Sequence, residues 1–372
     1  MKMINLSLWM AGLTLSTLVV WQAATGAPVP ERGNSAPVSP EEIRFEVPLV
    51  NPIETDEEPL LYPIYLRVDE RGFPQEYRMP LTANICPEGV CKVLEIVLYW
   101  DPLGHHTRHE YPPGVSPLTK YDDDPFTADD YQKLSATLKD KSSVLGHYPL
   151  NAVVHPTDPV YGDDEVDGVS GATAMTFVDV VVPGAAYTFW ALWQWVNGDV
   201  VEALEEKTRS FLHGDYLVYS LESSDTRKVE FALRHLQDQP GGGQPYAEVL
   251  VNMLETGGWG VSQLALDALT ADLSDPERIH QKLIKAIGKN PGSSDLIIRY
   301  FEQMDDAPPY VWAQMAEQLA RLNDFMDLHR VLRLLERRIG RSKTMVRSME
   351  ALQDHPDISI AQRAKMFVDA AR

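Results

Sequence analysis

Two hydrophobic periodicities divide the chain. Between residues 60 and 126, short β-branched and aromatic runs predict strands, among them 60–68 and 93–100. Asp101-Pro102-Leu103-Gly104 supplies a turn, so 105–111 is expected to return as the second strand of a hairpin. Thr127-Ala128-Asp129-Asp130 has the form of a capping box and predicts a helix reaching about Lys141. From residue 199 the period changes to the 3/4 spacing of amphipathic helices, as in Val249, Leu250, Met253, Leu254 and Val331, Leu332, Leu334, Leu335. The spacing predicts helices over 199–213, 224–237, 245–256, 259–273, 275–289, 293–304, 308–322, 324–339, 342–353 and 358–371. Gly and Pro punctuation separates them, and helix pairs recur at roughly 33 residues, which predicts a short α-solenoid.

Two apolar stretches need separate treatment. Ile4 to Trp21 carries no charge, follows Lys2 and precedes Ala24-Thr25-Gly26, so 1–26 reads as a secretory signal peptide. An uncleaved N-terminal anchor is the alternative. Val180 to Val196 is apolar too, but Pro183-Gly184 splits it into an expected buried strand from about Phe177 to Val182 and a buried helix starting near Ala185. Residues 27–59 are rich in Pro and acid and read as a linker. That leaves an α+β domain over 60–198 and an all-α, solenoid-like helical domain over 199–372.

Charge and cysteine sharpen the compartment. The formal net charge is −21; residues 28–199 hold 28 acidic and 11 basic side chains, and residues 200–372 hold 26 and 21. So acidic a surface excludes nucleic acid as a partner and repels anionic membrane. The two cysteines, Cys86 and Cys91, flank Pro87 and Gly89 and are read as a small disulfide loop of an exported protein, with a redox-active pair as the alternative. No C-x-x-C-H occurs, so c-type haem is not supported.

Asp167-Gly168-Val169-Ser170-Gly171-Ala172-Thr173 carries the most specific chemistry in the chain. It resembles the D-x-x-S-G-A-T flavinylation motif of the FMN-binding domain family, which includes the covalent-flavin subunits of the sodium-pumping NADH:quinone reductase and of the Rnf complex. The resemblance implies an FMN-binding-like α+β fold. It also implies FMN joined through its phosphate to the Thr173 hydroxyl by a separate flavin transferase. Asp167, Ser170, Gly171 and Ala172 would be the flanking recognition residues. It covers about residues 90–200, and Thr176 matches a hydroxyl position often seen after the motif. The strand-like run at Phe177 departs from the helix usual there.

Other constellations are weaker. Lys120 is a candidate cation for stabilising a reduced flavin, and Trp100 and Tyr161 are candidate ring-stacking partners. His105, His106 and His109 suggest a metal, but on a regular strand His105 and His109 share a face and no full ligand set follows, so an exposed polar strand is expected. Asp122-Asp123-Asp124 and Asp163-Asp164-Glu165 lack calcium-loop spacing. The expected protein is an exported, periplasmic or cell-surface electron-transfer flavoprotein with no catalytic residue of its own. It would pass electrons from a membrane-side donor to an unknown redox partner. A non-enzymatic helical-repeat binding or scaffold protein is the alternative.

Overall fold

The computed structural model describes residues 42–53, 58–85, 93–115, 117–120, 123–153, 177 and 179–371. Five strands form one antiparallel meander in the order β1 (Glu42–Leu49), β2 (Leu60–Val68), β3 (Pro74–Ala83), β4 (Leu94–Trp100) and β5 (His106–Glu110). Alternation places Ile64, Leu66, Val68, Tyr77, Met79, Leu81, Ile96 and Leu98 in the core, as a half-buried sheet requires. The sheet begins earlier than expected. β1 lies inside the stretch read as linker, where its Pro48 and its charged Glu42, Arg44 and Glu46 obscure the alternation. These are residues an edge strand tolerates.

Helix α1 (Ala128–Lys139) starts at the expected capping box. The Asp130 amide donates to Thr127 Oγ1 at 3.3 Å, and the Thr127 amide donates to Asp130 Oδ2 at 2.8 Å. After the short α2 (Leu150–Val153), α3 (Ala186–Asn197) is the expected buried helix, and it packs on α1. The strand expected before it is not found at 179–182. Those residues turn, with the Val180 and Val181 amides donating back to the Phe177 carbonyl. Their own carbonyls accept from Thr137 Oγ1 at 2.8 Å and Lys133 Nζ at 2.9 Å. Side chains of α1 therefore satisfy groups that a sheet would otherwise have to pair. Gly184, at φ 79°, makes the reversal into α3 that a β-carbon would strain.

Helix α4 (Val200–Arg209) leads into five stacked helix pairs: α5 (Gly214–Leu221) with α6 (Thr226–Gln237), α7 (Ala247–Thr256) with α8 (Trp259–Thr270), α9 (Pro276–Ala286) with α10 (Pro291–Glu302), α11 (Pro309–Gln318) with α12 (Phe325–Ile339), and α13 (Lys343–Glu350) with α14 (Ile358–Asp369). The N-caps of the second helices fall at Asp225, Gly258, Asn290, Asp324 and Asp357, steps of 33, 32, 34 and 33 residues. Each second helix packs on the second helix of the next pair, and first helices from α7 onward do likewise, giving two layers. Ion pairs mark the register. Lys282 meets Glu248, Lys289 meets Glu255 at 2.6 Å, Arg330 meets Asp295, and Arg337 meets Glu302 at 2.6 Å. Each bond links residues one repeat apart, and each pair of rungs is two helical turns apart. Among the described residues no helix is long and apolar enough to cross a membrane.

The two halves meet at one end of the sheet. Phe73, in the β2–β3 turn, belongs to the core of the helical array and tilts against Tyr216, with ring centres 5.0 Å apart. Arg71 covers the same contact, 4.2 Å from the Phe73 ring and 4.9 Å from that of Tyr219. Beside it, Tyr77 Oη lies 2.8 Å from Thr208 Oγ1, which donates to the Pro102 carbonyl at 2.6 Å. Thr208 has one proton and gives it to Pro102, so Tyr77 is the donor of the first bond.

Candidate functional site

The heptapeptide, with Asp167, Ser170, Gly171, Ala172 and Thr173, lies outside the described residues, as do Cys86, Cys91, Tyr161, the signal segment and the Asp163–Glu165 cluster. Its flanks are placed. Val153 before it and Phe177 after it are both buried in the sheet-side core, and the Tyr148 ring meets that of Phe177 edge-on at 5.3 Å. The Tyr148 carbonyl accepts from Trp190 Nε1 at 2.9 Å, which fixes this corner to α3.

Lys120 is committed elsewhere. Its ammonium lies 2.9 Å from Asp124 and 3.3 Å from Asp130, and these carboxylates raise its pKa. A cation neutralised twice is poorly suited to stabilising an anionic ring. Trp100 is fully buried and donates through Nε1 to the Val196 carbonyl at 2.9 Å, so it is a core residue and not a stacking platform. Of the residues read as contacting a flavin, only Lys120 and Trp100 are among those described, and both side chains are engaged in other contacts.

What the structure does assemble is a row of rings between β5 and α1. Strand β5 carries a bulge. Trp100 faces His106 and Tyr99 faces Arg108, so three residues of β5 oppose two of β4. The extra residue changes the phase, and His106, His109 and Tyr111 now point inward. The expected sharing of a face by His105 and His109 is therefore overturned. His105 instead sits beside Asp101, its Nδ1 3.4 Å from Oδ1, while His106 is only 5% exposed. The strand expected to be polar and exposed is buried along this face.

The rings run on without a gap: Trp100 to His106 at 6.2 Å, His106 to His109 at 5.8 Å, His109 to Tyr111 at 5.6 Å, Tyr111 to Tyr131 at 5.7 Å and Tyr131 to Phe126 at 5.3 Å between centres. Among the described residues, four buried polar atoms in this row have no hydrogen-bond partner: both ring nitrogens of His106, Nδ1 of His109 and the hydroxyl of Tyr111. Burial pulls His106 down to about 3, helped by the neighbouring His109 ring and the Lys139 ammonium and opposed by the Tyr99 carbonyl. His109 is lowered by burial and Lys139, and burial raises Tyr111. All three side chains are neutral near pH 7.

A second buried histidine lies in the array. His280 on α9, 1% exposed, has Tyr310 Oη 3.1 Å from Nδ1 and Tyr300 Oη 3.0 Å from Nε2. Burial lowers its pKa and raises that of Tyr300 to about 12, so a neutral imidazole donates to one phenol and accepts from the other. Neither ring cluster was expected. The first depends on a bulge, and the second on residues 20 and 30 positions apart. Compared with known proteins, the chain matches no family model, no curated protein and no solved structure.

Proposed function

We propose that the protein is an exported flavoprotein that carries FMN covalently on Thr173 and relays electrons between redox partners. The observation that carries this reading is the heptapeptide Asp167–Thr173. In it, Gly171 and Ala172 leave the Thr173 hydroxyl approachable by a flavin transferase. Support comes from the flanks, since Val153 and Phe177 are seated in one core and would give a tethered cofactor a fixed base. Bound there, FMN would supply the one- and two-electron chemistry. This chain's own part is retention: an exported cofactor on a covalent tether is not lost to dilution. The electron donor on the membrane side and the acceptor are partners of unassigned identity.

A second reading rests on the array, whose 33-residue stacking is that of an extended binding scaffold. One experiment separates the two. The chain is co-expressed with a flavin transferase in an exporting host, and a denaturing gel is imaged for flavin fluorescence. The flavin reading expects a fluorescent wild-type band and a dark Thr173→Ala band. A dark wild-type band of normal abundance overturns it and leaves the scaffold.

A further inference from the structure

Among the described residues, the second helices of the array expose four large apolar side chains: Trp259 at 61%, Met326 at 52%, Ile358 at 71% and Met366. The first three stand in the first turns of α8, α12 and α14. Successive second helices pack side by side, about 8–10 Å apart, so their first turns form one edge of the array. On this edge, between Trp259 and Met326, the second residues of α8 and α10 are Gly260 and Gly292. A β-carbon at Gly260 would meet nothing, and one at Gly292 would touch only Asn290 Oδ1 of its own cap, at 3.6 Å. Neither glycine has a positive φ. The fold does not require glycine at either place, and a helix favours alanine. What two such glycines provide is a low notch between larger side chains, where another backbone can come close. We propose that this edge, from Trp259 to Ile358, docks an extended segment of a partner polypeptide, with an apolar residue at every third position and basic residues between.

Continuity, area and charge select this occupant. The edge begins at an interface already formed: Arg227, the second residue of α6, pairs with Asp101 of the sheet half at 3.4 Å. From α8 onward the same edge is open. The exposed parts of Trp259, Met326 and Ile358 amount to on the order of 400 Å2, about half of the ~800 Å2 per partner that a stable protein–protein interface buries. That is too little for a second copy held by this edge. It suits one strand of chain anchored on an exposed tryptophan.

Charge along the edge is acidic. Asp324, Asp354 and Asp357 are exposed there against one exposed arginine, Arg321, while Lys289 is taken by Glu255 at 2.6 Å. Basic residues in the partner are therefore attracted and acidic ones repelled. Spacing sets the register. A polyproline-type chain brings its side chains to one face every three residues, or ~9.3 Å, which matches the step between neighbouring helices. A β-strand repeats at ~6.7 Å and falls out of step. The inference does not rest on a flavin at Thr173. It gives the array a ligand held beside the sheet half, because the same edge meets Asp101.

The test titrates the full chain into a fluorescein-labelled peptide of five Leu-Pro-Lys repeats and reads fluorescence anisotropy. The expected result is saturable binding at one equivalent. Trp259→Ser weakens it at least about tenfold, and Met326→Ser and Ile358→Ser each about threefold. Gly260→Leu, which fills the notch and favours the helix, weakens it as well, so the loss is not one of folding. Met366→Ser, off this edge, leaves it unchanged, and a Leu-Pro-Glu peptide does not bind. Absence of saturable binding to folded wild-type protein overturns the proposal. So does binding that survives both Trp259→Ser and Gly260→Leu, or equal binding of a Ser-Pro-Lys peptide, which would show charge alone. A dimer seen by light scattering and lost in Trp259→Ser overturns it too and assigns the edge to a second copy.

Discussion

The sheet half and the helical array each bury a histidine, and they treat it in opposite ways. In the array, His280 has a tyrosine hydroxyl on each ring nitrogen. At the sheet edge, His106 has no well-formed hydrogen bond on either nitrogen among the described residues, where only the Tyr99 carbonyl acts on it, and His109 Nδ1 and the Tyr111 hydroxyl beside it also lack partners there. A satisfied buried network locks a packing arrangement in place; an unsatisfied one carries a desolvation cost. The array is not satisfied throughout, since His329 Nδ1 and Gln314 Oε1 are also buried without a partner among the described residues, so the contrast lies between these two histidines and not between the two halves.

Acid should separate the two regions most strongly. His106 is neutral when folded, with a pKa near 3, and takes up a proton near pH 6.5 when unfolded. The unfolded state therefore binds more protons over that interval, and stability is present above pH 6.5 and lost as pH falls. The slope is about 1.4 kcal/mol per pH unit, or roughly 5 kcal/mol by pH 3 from this residue alone. Urea unfolding across pH 4–7 of wild type and His106→Leu tests it. The variant should show a shallower pH dependence, and parallel curves would mean that His106 is already protonated or exposed in the native state.

Whether the two regions also unfold separately depends on Phe73. Its ring is the sheet half's plug in the array's core, backed by Arg71 and Tyr216. Phe73→Ala should cost about 3–5 kcal/mol. In calorimetry, one cooperative transition should become two, because partly buried Phe211 and the polar contacts of Tyr77, Thr208 and the 3.4 Å Arg227–Asp101 pair then hold the junction without its buried plug. A single transition merely shifted to lower temperature would show that those polar contacts suffice.

The contrast between the histidines themselves has a smaller expected size. His280→Phe strands two tyrosine hydroxyls and should cost about 2 kcal/mol, whereas His106→Leu at neutral pH should be neutral or stabilising. Chemical denaturation of both variants at pH 7.5 measures this, and equal costs would erase the distinction drawn between the sites.

Legibility in the sequence followed the same division. The array was readable because its helices repeat an apolar face and Gly or Pro punctuates several of the connections, as at Gly257 and Gly340. The exception is α5, whose Tyr216-Leu217-Val218-Tyr219 has strand composition and is helical because Tyr216, Leu217, Ser220 and Leu221 face the core. Of the sheet, β2, β4 and β5 were readable as strands, β1 was hidden in the stretch read as linker, β3 was not singled out, and β5 was read out of phase. The bulge is decided by how β5 meets β4 across the turn at Asp101, a register that the side-chain pattern of β5 alone does not set. The apolar run before Pro183 read as a strand, yet its carbonyls found side chains of α1, a tertiary choice that propensity does not encode.

The ion-pair ladder is where the array should prove least sensitive. Lys289–Glu255 and Arg337–Glu302 are solvent-exposed, so each is worth at most about 1 kcal/mol and is screened by salt. Glu302→Gln should lower stability by a few tenths of a kcal/mol at low ionic strength, with the difference vanishing near ~0.5 M salt. A larger, salt-resistant loss would have a specific source, since the Glu302 carbonyl also accepts from Arg338 Nη2 at 2.7 Å and Arg338 lies over Trp312 at 5.5 Å. The rung would then be part of a packed cluster holding α10, α11 and α12 together, and the repeat period would reflect that packing more than surface charge.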